Sequence, residues 1–309
     1  MRTAFLQTLT QLAADDPRIV LVTGDLGYLA VEGFMEQHPT RFFNAGVAEQ
    51  NMVGLATGLA DAGFIPFVYS IVPFAVLRPY EFIRNGPVQH RLPVRIVGVG
   101  GGFDYPTNGL SHYGLEDVAV LRAQPRMTVI VPADGAQTRA ALLRTWNLPG
   151  PVYYRLGKDN TLSVPGLEGQ FELGKLQASR GGADLVILAM GGVAAEAAVA
   201  CEKLRAAGVD CGFAVLAAVQ PPPVDALATL LTSTRLVLTV EAHYETGGLG
   251  SLVAEVLAEN ALRCRLVRCG VKTTPDGRVG SRHYMHKMHG LDTEALVRRA
   301  MLEIRKAQP

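Results

Sequence analysis

Short apolar runs rich in Val and Ile alternate along this chain with longer stretches whose apolar residues recur at helical spacing. Residues 18–23 (RIVLVT) predict a strand that closes on Gly24-Asp25-Leu26-Gly27. Residues 51–62 predict a helix ended by Gly63, followed by a strand over 65–69 and a helix over 79–91. Strands over 94–99, 128–131 and 152–156 then alternate with helices over 115–124 and 135–146. Strands that are apolar throughout, each followed by a helix, are what a parallel sheet covered on both faces requires.

The alternation stops near residue 158, where Gly, Pro and polar residues take over until about 180. It resumes with strands over 184–190, 211–216, 235–240 and 264–267, and helices over 192–207, 223–231, 250–258 and 292–306. The expectation is an α/β chain of two doubly wound sheet domains, 1–160 and 181–309, joined by a linker over 161–180.

Composition narrows the class. With 49% hydrophobic and 18% charged residues, the 309-residue chain can fill a large core. A formal net charge of +1 gives no case for nucleic acid or a membrane surface as partner. Cys201, Cys211, Cys264 and Cys269 all fall in the second half without a C-x-x-C pair, and read as reduced core thiols rather than a zinc site. The opening MRTAFLQTLTQLAADDPRIV has no apolar core followed by a small-residue cleavage site. No stretch reaches the roughly 18 apolar residues that span a bilayer, so a cytoplasmic protein is expected.

Candidate chemistry gathers at strand ends, where open α/β sheets bind ligands. Residues 44–54 (NAGVAEQNMVG) set Glu49 between a small-residue run and an apolar helix start. A carboxyl group there faces a crevice with little water, and burial favours its neutral form. The alternative is a plain helix N-terminal acid. The turn at 24–27 carries Asp25. Residues 67–84 (FVYSIVPFAVLRPYEFIR) are aromatic-rich, with Tyr69 and Phe74 suited to stacking a planar ring. The glycine-rich loop over 99–117 carries His112 just before a helix, and long loops in compact α/β domains are usually functional. His283, His286 and His289, at three-residue spacing, read as solvated histidines on a surface turn or helix. Gly247-Gly248-Leu249-Gly250 reads as close backbone packing.

In order and spacing these elements resemble the transketolase family over nearly the whole chain, most strongly from 41 to 156. The run 44–54 is similar to its GVxEQN element, which implies that Glu49 activates the pyrimidine of thiamine diphosphate. The resemblance also implies cofactor contacts for Asp25, Tyr69, Ile71, Phe74 and Arg78, the last opening a helix like the family's RAxxQIR. Residues 108–112 (NGLSH) align with DGPTHQ, so His112 is implied to shuttle protons on the substrate, with Asn108 and Ser111 contacting it. Arg155, in the strand PVYYR, and Lys158 are implied to hold a substrate anion. The elements around Glu116-Asp117, Pro132-Ala133-Asp134, Thr239–His243 and Gly247–Gly250 complete the match.

Departures shape the expected substrate and partner. Asn108 stands where the family has Asp, Tyr113 where it has Gln, Ile71 at a position normally aromatic, and Gly100 where a second substrate-binding histidine is expected. A cation is kept while the hydroxyl readers change, which implies an unusual sugar carrying a phosphate or other anion. No GDG followed some thirty residues later by Asn occurs, so the diphosphate half is missing. The implied partner is an N-terminal transketolase subunit with that motif, which would hold Mg²⁺ or Ca²⁺, in an α2β2 heterotetramer sharing the cofactor. No metal ligands are expected on this chain. Alternatives are the β subunit of a 2-oxo-acid dehydrogenase and a non-catalytic regulatory subunit.

Overall fold

The computed structural model describes residues 1–306; residues 307–309, the end of the expected second domain, lie outside the described residues. The first half supplies β1 (Ile19–Thr23), β2 (Phe42–Asn44), β3 (Ile65–Ile71), β4 (Arg95–Val99), β5 (Thr128–Ile130) and β6 (Val152–Leu156). The second supplies β7 (Gln177–Arg180), β8 (Leu185–Met190), β9 (Cys211–Val215), β10 (Ala218–Gln220), β11 (Leu236–Tyr244) and β12 (Arg265–Val271). One sheet has seven strands in the order β10-β5-β6-β4-β3-β1-β2, and the other five in the order β12-β11-β8-β9-β7. Both are parallel apart from one antiparallel edge strand each, β10 and β7.

Every residue of β1, β3, β4 and β6 is buried, which is why these strands read as unbroken apolar runs. On one face of the first sheet Val20, Val68, Ile96 and Val129 join a core that continues into Val186, Leu188 and Leu249 of the second half. On the other face Phe5, Leu9, Phe67, Tyr69 and Tyr154 pack together, with Phe5 edge-on to Phe67 and Tyr154.

The structure departs from the sequence reading in several places. The helix Arg2–Asp15 was not foreseen, and neither was edge strand β2. The expected helix over 79–91 forms over 80–90 but passes from Tyr80–Ile83 into a wide-turned π segment, Arg84–Val88, and a separate short helix, Val72–Val76, precedes it. Pro79 and Pro87 lack the N–H that a regular helix needs at these points. Residues 161–180 are more than a linker. Val164, Leu167 and Phe171 are buried, and β7 pairs antiparallel with β9. β10 leaves the second half to cover the edge of β5, so the halves are interwoven.

The histidine tail also differs from a solvated surface. The helix Arg282–Met288 forms, but His286 is buried and its pKa falls to about 4 through loss of solvent. His289 stacks on Phe103, ring centroids 5.0 Å apart. Gly247–Gly250 is a close approach: Leu249 N and Gly250 N donate to buried Glu241 at 2.7 and 2.8 Å. A side chain on Gly248 would collide with that carboxylate.

Candidate active site

Four loops at the carboxyl ends of β1 to β4 converge on one edge of the first sheet. After β1 the chain turns through Asp25, whose φ of +56° is the left-handed conformation that Asp tolerates better than most residues. Asn44 at the end of β2 locks this turn: its Oδ1 accepts from Asp25 N (3.0 Å) and Gly46 N (2.9 Å), and its Nδ2 donates to Asp25 Oδ1 (2.9 Å). The locked turns present Glu49 as the first residue of the helix Glu49–Asp61, 2% exposed. A Cβ on Gly24 would sit 3.6 Å from Glu49 Cγ, so the first turn closes directly against the acid.

One cation reaches Glu49. Arg78 Nη1 donates to Glu49 Oε1 at 2.9 Å, and no hydrogen bond among the described residues uses Oε2. The Arg78 guanidinium also lies 3.9 Å from the centroid of Phe74, a cation–π contact. Phe74 in turn meets His112 edge-on with centroids 5.1 Å apart. His112 Nδ1 sits 2.9 Å from Ser111 Oγ, leaving Nε2 as the free ring nitrogen. Partial burial, and secondarily the Arg78 charge, lower the His112 pKa, so the ring is neutral and basic near pH 7.

The line continues past His112. The Tyr105 ring is 6.0 Å from the His112 ring, and Lys158 Nζ lies 4.5 Å over Tyr105. Glu49, Arg78, Phe74, His112, Tyr105 and Lys158 therefore form one continuous ridge. Tyr105 escaped sequence reasoning, although a Tyr five residues beyond Gly100 in a glycine-rich loop was a usable signal.

Other expected site residues lie off this ridge. Tyr69 is 3% exposed in the core with Phe5 and Phe67, beneath the turn at Gly27, and burial pushes its hydroxyl pKa well up. Ile71 ends β3 and is buried. Asn108 is exposed, its N–H donating to Tyr105 O at 3.2 Å.

Arg155 is the clearest correction. Its Nε donates to Asp117 Oδ2 at 2.8 Å, and its Nη2 to Gly114 O at 2.6 Å and Ala242 O at 3.0 Å. Sealed at the junction of the two halves with its side chain 4% exposed, it has Nε and Nη2 committed to protein partners and no open face toward a substrate anion. That leaves Lys158, which is exposed.

Comparison with known proteins adds to this geometry. The transketolase pyrimidine-binding domain family matches residues 1–162, and the transketolase C-terminal domain family matches residues 174–296. One subunit of an apulose-4-phosphate transketolase from Phocaeicola vulgatus is 34% identical over 312 residues, covering 99% of this chain and 97% of its own. A 6-deoxy-6-sulfo-D-fructose transketolase subunit from Clostridium sp. is 36% identical over 301 residues, covering 97% and 93%. A solved structure of a split gene transketolase, described as an inactive beta4 tetramer, is similar with a TM-score of 0.87 at 34% identity, covering 98% of this chain and 97% of that one.

Proposed function

Because the chain belongs to the transketolase family, we propose that it is the pyrimidine-binding and C-terminal half of a two-subunit transketolase. In this reading it moves a two-carbon ketol unit from an anion-bearing ketose to an aldose. The observation that carries it is Glu49: a buried carboxylate at a strand end, one oxygen held by Arg78 and the other free, beside the Phe74 ring. An acceptor oxygen next to an aromatic face fits the flat, amino-substituted pyrimidine of thiamine diphosphate.

The partner would be an N-terminal subunit carrying the GDG…N motif and, with it, Mg²⁺ or Ca²⁺. Among the described residues no group of three His, Cys, Asp or Glu could hold a metal ion. The turns that carry Asp25, Glu49 and His112 also expose Tyr28, Leu29, Val47 and Leu110, between 51% and 83% each. Apolar side chains crowded around a polar site fit a surface that a second subunit covers. We read the assembly as α2β2. No described helix is long and apolar enough to cross a membrane, which is compatible with a cytoplasmic enzyme.

Bound at this site, thiamine diphosphate supplies the nucleophilic carbon that carries the two-carbon unit. Glu49 Oε2 would hold the pyrimidine ring nitrogen and favour its reactive tautomer. Asp25 and Ile71 would border the cofactor, and Phe74 would stack on it. His112 Nε2 would take and return a proton at the substrate hydroxyl, with Ser111 orienting the ring through Nδ1. Asn108 and Lys158 would meet the substrate further out. The named sugars of the two relatives, a phosphate and a sulfo sugar, both bear an anion, which supports a cation such as Lys158 on the rim. The dehydrogenase and non-catalytic readings are not favoured, since those relatives are transketolase subunits.

The test is reconstitution with the partner subunit, thiamine diphosphate and Mg²⁺. Ketol transfer should appear only when both chains are present, and Glu49→Gln should lower it by about a hundredfold or more. Transfer that persists at a tenth of the wild-type rate or above contradicts the assignment.

A further inference from the structure

The loop between β4 and His112 holds an aromatic side chain that the transketolase reading does not use. Gly100 has a φ of +87°, and a Cβ built on it would fall inside the Tyr105 ring, against Cδ2 and Cε2. No side chain can occupy position 100 while that ring is in place. The loop that carries the ring is anchored on both sides of it. Asp104 Oδ2 accepts from Lys158 N at 2.7 Å, while Arg282 lies 3.5 Å from Asp104 Oδ1. Gly100 N and Gly101 N donate to Leu156 O at the end of β6. Tyr105 thus stands between the His112 imidazole and the Lys158 ammonium.

We propose that Tyr105, seated over the bare backbone of Gly100 and carrying Lys158 against its ring, determines which ketose this site accepts. This deepens the transketolase reading and rests on it. A histidine at position 100 would offer a ring nitrogen to a sugar hydroxyl. The phenol offers ring carbons and a single hydroxyl, with a cation beside them. Such a wall suits a ketose that brings an anion to Lys158 and a carbon-rich face to the ring, as a deoxy or branched sugar does.

The experiment uses the assembled two-subunit enzyme and compares xylulose 5-phosphate, fructose 6-phosphate, a 6-deoxy ketose bearing a 6-sulfonate and a branched ketose phosphate. Tyr105→Leu should change the ratio of kcat/KM between the best and the hydroxyl-rich substrates by about tenfold, mainly through KM. Tyr105→Phe, which keeps the ring, should stay within about threefold of wild type. Calorimetric binding of thiamine diphosphate should be unchanged in both. If Tyr105→Leu does not fold, Tyr105→His supplies the same comparison. An equal loss on every ketose, an unaltered ranking or a weakened cofactor affinity overturns the proposal. A wild-type pair that transfers no ketol unit defeats the functional reading and this inference with it, whereas an active pair with an unaltered ranking defeats this inference alone.

Discussion

Two arginine–carboxylate pairs in this molecule share almost the same local geometry and have opposite surroundings. Arg155 reaches Asp117 at 2.8 Å, with side chains 4% and 0% exposed. Arg78 reaches Glu49 at 2.9 Å, with side chains 45% and 3% exposed. Around the first pair the partners are all protein groups: Tyr153 hydroxyl also donates to Asp117 Oδ2 at 2.7 Å, Arg155 Nη2 meets two carbonyls, and the unpartnered Asp117 Oδ1 is buried away from solvent. Around the second, one carboxylate oxygen is free and the cation faces solvent. A sealed pair joins the two halves of the chain, while the half-open pair is the one that the proposed function assigns to a ligand. What separates structure from chemistry is the exposure of the cation.

The comparison breaks most visibly at Arg155. Arg155→Met strands buried Asp117 without its counter-charge, and should cost about 3–5 kcal/mol in a denaturant unfolding experiment. An unchanged midpoint would remove the distinction.

Acid should attack the sealed side next. Burial lowers the pKa of His243, beside Glu241 in the same junction, to about 4, as it does for His286. A histidine with a depressed folded pKa stabilises the fold fully above its unfolded value of 6.5, and that contribution is lost as pH falls toward 4. Each should forfeit roughly 3 kcal/mol across this window. Glu241, raised by burial to about 7, acts in the opposite sense, its contribution shrinking as pH rises from about 4.5 to 7. Stability of the His243→Gln variant measured against pH should lose part of the acid-side slope.

The open pair should respond differently. Glu49→Gln is expected to shift unfolding by no more than about 1 kcal/mol, because the freed Arg78 is already solvated. Activity should nevertheless collapse in the same variant. Arg78→Gln leaves buried Glu49 without its cation and should cost about 1–2 kcal/mol, still less than Arg155→Met, and should move the His112 limb of the pH–rate profile upward, because a cation that lowers that pKa is gone. A fall as large as that of Arg155→Met in either variant would place this pair with the sealed one.

The central strands were legible because burial on both faces leaves an unbroken apolar run, as in Ile19–Thr23. The helix Arg2–Asp15 was not, since Thr8 and Thr10 occupy buried positions and satisfy their hydroxyls on Ala4 O and Leu6 O. Nor was β10, whose three residues form a strand only because the edge of β5 needs a cover. In the site, Glu49 and His112 could be read from short local motifs. The fate of Arg155 could not, because it depends on Asp117, 38 residues away, and on Ala242, 87 residues away. Tyr105 was hidden for a similar reason: its place is defined by an absent side chain at Gly100 and by Lys158 beyond another strand.

The account stands on Glu49 acting upon the pyrimidine ring, and the most direct measurement is proton exchange at the reactive thiazolium carbon of thiamine diphosphate bound to the assembled pair, followed by NMR after quenching in acid. The wild-type complex should exchange that proton far faster than free cofactor, and Glu49→Gln should return it to the free rate while cofactor remains bound. Equal exchange in the two complexes would contradict the account.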